Sequence, residues 1–144
     1  PIEAGPGYVL YTQEFYAYAA TKLSKGGVLC TQSGPGALHT YNECFSVIHS
    51  TLRASFQHVA PFTVDIPSFG CVWAFNLAFN SNGDGDDAEV WCAFDEAVVA
   101  RIDGSLRFYD GVSHRGLFGT PKWLREALAA EQRIMTKETP VFMY

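Results

Sequence analysis

The sequence predicts an α/β fold in the order αβαββ, with an antiparallel hairpin added to the edge of a parallel sheet. Three observations predict it. A helical repeat over residues 12–23 stops at Gly26-Gly27, and the short apolar run Val28-Leu29-Cys30-Thr31 follows at once. A second helical repeat, built on Phe45, Ile48, Leu52 and Phe56, separates that run from the next extended segment. Two extended segments, 59–66 and 72–79, are then joined through Pro67-Ser68-Phe69-Gly70, a connection short enough to require antiparallel pairing.

Each element has a local cause. Thr12 is placed to cap the first helix, whose apolar face carries Phe15, Tyr16, Ala19, Ala20 and Leu23. Lys22 and Lys25 favour its carboxyl end. The run 28–31 reads as a strand covered on both faces, with Gln32 at its end and Ser33-Gly34-Pro35-Gly36 as the loop beyond. Thr40-x-x-Glu43 is a capping-box signature for the second helix. Segment 59–66 alternates Phe62, Val64 and Ile66 against Thr63 and Asp65, and Pro61 makes it an edge strand. Segment 72–79 is apolar at nearly every position, as an interior strand requires. Asn80 to Asp87 is loop-like, 95–102 is expected to be helical, and 106–109 a short strand. Asp103-Gly104 and Asp110-Gly111 read as turns, and Thr120-Pro121 opens a last helix with Trp123, Leu124, Ala127 and Leu128 as its apolar set.

Composition narrows the function classes. The 144 residues suit one domain able to bury roughly 68–70% of the surface of its extended chain, and 48% hydrophobic residues is too apolar for disorder. Ten Lys and Arg with a net charge of −5 argue against nucleic acid and leave room for a cationic ligand. No apolar run reaches the ~18 residues of a membrane helix. Cys30, Cys44, Cys71 and Cys92 lack CxxC spacing and read as reduced core cysteines of a cytoplasmic protein. The chain opens at Pro1 without an initiator Met, which reads as part of something longer.

Several motifs fall short of a site. Asn80, Asn82, Asp84 and Gly85 mimic the start of a calcium loop, but Trp91 stands where its bidentate Glu is needed, so a solvated turn is the better reading. His39, His49, His58 and His114 have no metal-ligand spacing, and one helical turn between His39 and Glu43 needs only a surface hydrogen bond. The Gly34-Pro35-Gly36 loop lacks the Lys-Ser/Thr of a phosphate loop and reads as a tight turn. No Ser sits in a GxSxG elbow. Gln32, Ser68, Phe69 and Trp73 remain. On residues alone, Gln32 at a strand end is first a structural hydrogen bonder and second a ligand contact.

Tyr11-Thr12-Gln13-Glu14-Phe15-Tyr16, Gly27-Val28-Leu29-Cys30-Thr31-Gln32-Ser33-Gly34-Pro35 and Ile66-Pro67-Ser68-Phe69 with Trp73 resemble the carboxyl half of the spermidine synthase family of aminopropyltransferases. Within it the similarity is greatest to the thermospermine synthases. Leu106-Arg107-Phe108-Tyr109-Asp110-Gly111 and Pro121-Lys122-Trp123-Leu124-Arg125 extend the resemblance to the tail. It implies the carboxyl-terminal part of a class I methyltransferase-like Rossmann fold with a terminal antiparallel hairpin. Residues 1–88 would complete that domain, and 89–144 would form an extension packed on it. The reaction would move an aminopropyl group from decarboxylated S-adenosylmethionine, a co-substrate, to a polyamine, without metal or other cofactor. The catalytic Asp-x-x-Asp would lie before Pro1, so this piece alone would be inactive. Its partner would be the amino-terminal half of the same enzyme, and the complete protein a homo-oligomer.

By position, Pro6, Gly7 and Leu10 match nucleoside-pocket residues of the family, Gln32 a glutamine reaching the acceptor amine, and Ser68, Phe69 and Trp73 the acceptor-side loop and wall. Phe69 replaces a Tyr usual in spermidine synthases, and Cys71 an Asp common in thermospermine synthases. The alternatives are a spermidine synthase using putrescine, a non-catalytic relative serving as an interaction or regulatory subunit, and a methyltransferase of the same fold.

Overall fold

The structure is a computed structural model that describes residues 5–80 and 100–142. A 3-10 helix, Pro6–Tyr11, leads into α1 (Gln13–Ala20), followed by β1 (Leu29–Pro35), α2 (Phe45–Arg53), β2 (His58–Ile66), a 3-10 turn at Pro67–Phe69, and β3 (Cys71–Phe79). Two further helices, α3 (Gly111–Phe118) and α4 (Lys122–Ala130), complete the described elements.

The three strands form a sheet in the order β1-β3-β2, and both neighbouring pairs are antiparallel. The hairpin expected from the short connection is β2–β3, with Ile66 opposite Cys71 at its turn. β3 is the interior strand and β2, with Pro61, an edge, as the patterns indicate. β1 and β2 run in the same direction on either side of β3, so the carboxyl end of β1 lies beside the hairpin turn.

The core lies on one face of this sheet. Ala74, Asn76 and Ala78 alternate along β3 and are all buried. Ala78 packs with Tyr16 of α1, Val47, Ile48 and Leu52 of α2, and Met135. Ala74 packs in a second cluster with Phe45 of α2 and Leu124 and Leu128 of α4. Thr12 caps α1 as its sequence suggests, accepting from the Phe15 N–H at 3.3 Å. On the opposite face Phe62 stacks on Phe75 at 5.2 Å, and Phe118 from α3 lies against Phe62.

Several expectations are corrected. β1 does not end at Gln32 but continues through Ser33-Gly34-Pro35, the stretch expected to be a loop. The ladder survives there because a bulge between Gln32 and Gly34 absorbs Ser33, and Gly34 takes the φ of +90° that such a kink needs. Nor is β1 covered on both faces, since Val28, Cys30 and Gln32 are exposed. Cys30 is therefore not a core cysteine, Cys71 is only half-buried, and Cys44 alone of the three described is buried.

The Thr40 capping box does not form. Thr40 donates its hydroxyl to the Ala37 carbonyl instead, and α2 starts at Phe45 behind an uncapped Cys44. No strand forms at 106–109: no described strand pairs with this segment, and Leu106 and Phe108 are exposed. Asp110-Gly111 is not a turn but a helix start, because the Asp110 carboxylate accepts from the Ser113 N–H at 2.7 Å. The helix expected at 95–102, the calcium-like loop and Cys92 lie almost wholly outside the described residues.

Candidate functional site

Of the residues singled out as acceptor-binding, the hairpin turn and the start of β3 bring Ser68, Phe69 and Trp73 close together, while Gln32 lies farther along the sheet on β1. Ser68 and Phe69 sit on the 3-10 turn closed by Gly70, whose φ of +69° is the left-handed conformation that lets the chain re-enter the sheet. Trp73 follows on β3, and its ring lies 4.6 Å from that of Phe69. Trp73 is opposite Val64 on β2 and Pro35 on β1, so all three strands meet at this wall. Its indole N–H is buried with no partner among the described residues. An unpaired buried donor of this kind costs about 1–3 kcal/mol.

Gln32 is on the neighbouring strand, opposite Phe75, and therefore on the same face as Phe75 and Trp73. It is the last regular ladder position before the bulge, and it is exposed. Pro6, Gly7 and Leu10 form a separate group on the 3-10 helix ahead of α1, with Leu10 exposed. That helix is tied to the tail, where Tyr8 donates to the Lys137 carbonyl and meets the ring of Phe142 edge-on.

What the arrangement can do is bind and orient. Gln32 offers an amide, Ser68 a hydroxyl, and Phe69 and Trp73 an aromatic wall, so none of the four can take up a proton near neutrality. Cys44, the buried thiol, is no nucleophile either: burial, helped by Glu43, pushes it up to about 11. Among the described residues no three His, Cys, Asp or Glu side chains converge as metal ligands. Among them, too, no helix is long and apolar enough to cross a membrane.

Two arrangements had little signal in the sequence. Behind the bulge, His49 Nδ1 lies 2.8 Å from Asn76 Oδ1, and Asn76 Nδ2 donates to Ser33 Oγ at 2.8 Å. All three residues are buried. Burial, with Arg53 nearby, lowers the imidazole's pKa, and the Asn76 contact only partly offsets this. The visible clues were an Asn inside an otherwise apolar strand and a His on the apolar side of α2. The second arrangement is Glu131, which accepts from Ser46 Oγ at 2.8 Å and from Arg133 Nε and Nη2 at 3.0 and 2.6 Å. Arg133 also holds the Asn42 carbonyl, fastening the tail to the turn before α2.

Comparison with known proteins gives consistent relatives. Residues 1–85 match the spermine/spermidine synthase domain. A polyamine aminopropyltransferase of Sulfurisphaera tokodaii is 35% identical over 98% of this chain and 45% of its own length. The thermospermine synthase ACAULIS5 of Arabidopsis thaliana is 30% identical over 100% of this chain and 42% of its own. The chain thus spans a little under half the length of these relatives. Among solved structures, spermidine synthase from Thermotoga maritima superposes with a TM-score of 0.66 at 20% identity, covering 85% of this chain and 40% of that one. A spermidine synthase solved with the transition-state analogue AdoDATO gives 0.65 at 19% identity, covering 85% of this chain and 39% of that one.

Proposed function

The chain belongs to the spermine/spermidine synthase domain family and shares the methyltransferase-like α/β fold of spermidine synthases, and from that premise we propose that its protein is a polyamine aminopropyltransferase of the thermospermine synthase type. It moves an aminopropyl group from decarboxylated S-adenosylmethionine to spermidine. The amine nitrogen attacks the carbon next to the sulfonium, a C–N bond forms, and the C–S bond breaks with its electron pair passing to sulfur. Methylthioadenosine leaves as a neutral thioether. The amine, with a pKa of ~10 like that of Lys, must shed a proton first.

The observation that carries this reading is an aromatic wall, Phe69 against Trp73, on the sheet face that also carries the uncharged amide of Gln32. An aliphatic polycation suits it: methylene segments lie on the rings, and an amine meets the amide oxygen. Gln32, Ser68, Phe69 and Trp73 include no proton acceptor; in keeping with the family resemblance, we assign the base to an Asp-x-x-Asp motif outside them, and expect these 144 residues alone to be inactive. Pro6, Gly7 and Leu10 contribute to the nucleoside side. Residues 1–88 complete the catalytic domain with an amino-terminal half, and 89–144 extend it. We place the enzyme in the cytoplasm as a homo-oligomer, without metal or further cofactor.

The test is steady-state kinetics of the complete enzyme. Release of methylthioadenosine is expected to require both decarboxylated S-adenosylmethionine and spermidine. Gln32→Ala is expected to raise KM for spermidine about 10-fold or more, with KM for the donor little changed, because a hydrogen bond to a charged group contributes about 1.5–3 kcal/mol. Equal effects on both substrates would make Gln32 structural. No release at all would favour a non-catalytic relative.

A further inference from the structure

The buried polar triplet behind the bulge has no evident use in holding the core together. Asn76 sits on β3 between Ala74 and Ala78, which belong to two different apolar clusters, and His49 occupies the matching seam on α2 between Phe45 and Leu52. A core serving stability alone would fill such a seam with carbon, since a satisfied buried polar pair is often no better than an apolar one of equal shape. The polar choice therefore points to a geometric task.

The direction of the hydrogen bonds fixes what that task is. Ser33 Oγ donates to the Thr31 carbonyl at 3.3 Å, so its proton is committed and it accepts from Asn76 Nδ2 at 2.8 Å. This places Oδ1 toward His49 at 2.8 Å from Nδ1, and with the amide so placed we assign Nδ1–H as the donor. One end of this chain is anchored on a packed helix. The other ends on Ser33 and the Thr31 carbonyl, the two residues that flank Gln32.

We propose that His49, Asn76 and Ser33 form a positioning relay that locks the β1 bulge, so that α2 sets the angle at which Gln32 meets the substrate amine. Without the relay no side-chain hydrogen bond links the bulge to α2, and the bulge adjoins a glycine at φ +90°, the residue type with the least intrinsic backbone restriction. The relay touches no substrate and acts only through Gln32. It thus rests on the acceptor role proposed above for that residue.

A double-mutant cycle in the complete enzyme tests it. Ser33→Ala is expected to raise KM for spermidine about three- to ten-fold, while KM for decarboxylated S-adenosylmethionine and kcat stay within about twofold. In the Gln32→Ala background the same change is expected to add less than twofold, since the residue it positions is gone. Additive effects, or equal rises for both substrates, would overturn the relay. If Gln32→Ala shifts KM for spermidine and Ser33→Ala does not, the relay falls and the acceptor site stands. If Gln32→Ala shifts nothing, the acceptor reading falls and takes the relay with it. An independent readout needs no variant: 15N NMR of wild-type enzyme should show His49 in the Nδ1–H tautomer, and an Nε2–H tautomer would refute the assigned direction.

Discussion

Replacing Glu131 by Gln isolates one contact that ties the tail to the core. Its carboxylate gathers the Ser46 hydroxyl, the Arg133 guanidinium and the backbone N–H groups of Gln132 and Arg133. The Arg133 side-chain hydrogen bonds are the main reason its pKa falls from 4.5 to about 2, against a smaller upward push from burial. Because the folded value is the lower one, the carboxylate stabilises the fold above pH ~4.5, and that contribution is lost as pH falls toward ~2. At about 1.4 kcal/mol per tenfold change in proton affinity, the gap bounds the contribution at roughly 3 kcal/mol. The Arg133 side chain is 52% exposed, so solvent screening reduces this to about 1–2 kcal/mol. Urea denaturation of wild type and Glu131→Gln across pH 7 to 3 measures it. The variant is expected to be less stable by about that amount at pH 7, with the difference shrinking steadily below pH ~4.5. A difference that stays constant from pH 7 to 3, or none at pH 7, would refute the reasoning.

Met135 is fully buried between α1 and α2, and its backbone bonds both Thr51 and Gln13. Met135→Ala is expected to cost about 2–5 kcal/mol in chemical denaturation, and a cost under ~1 kcal/mol would mean that the tail is not part of the core. Cys71 opens β3 beside the hairpin turn, half-buried. Cys71→Asp is expected to raise the kcat/KM ratio of spermidine over putrescine about two- to five-fold, the worth of one partly exposed ion pair. An unchanged ratio would remove Cys71 from the acceptor site.

The parts of this fold that were legible in the sequence are those with a strong period or a strong punctuation. Thr12 and the Pro67-Gly70 turn each constrain the backbone locally and each marks an element boundary, whereas α1 already ends at Ala20, before Leu23 and the Gly26-Gly27 stop expected for it. The misreadings arise where a distant partner outweighs a local signal. Ser33-Gly34-Pro35 has turn composition, but β3 offers ladder positions to Gly34 and Pro35, and the tertiary pairing prevails. Thr40-x-x-Glu43 loses its capping role in a segment whose Asn42 carbonyl is held by Arg133, far along the chain. The segment 106–109 has strand composition and no described neighbour to pair with. The candidate site follows the same division. Phe69 and Trp73 were visible as one cluster because a short turn brings them together, whereas His49, Asn76 and Ser33 meet only through the packing of α2 on the sheet.

The placement of β3 between two strands also sets an order of assembly. Its pairing with β2 closes across a short turn, Ile66 to Cys71, whereas its pairing with β1 must at the least join Pro35 to Trp73, around α2 and β2. Closing the longer loop has the larger entropic cost and comes later in folding. The aromatic wall is therefore expected to form before β1 docks, with Gln32 the last member of the group to arrive. In pulsed amide exchange during refolding, β2 and β3 should gain protection ahead of β1, and simultaneous protection of all three would exclude this sequence of events.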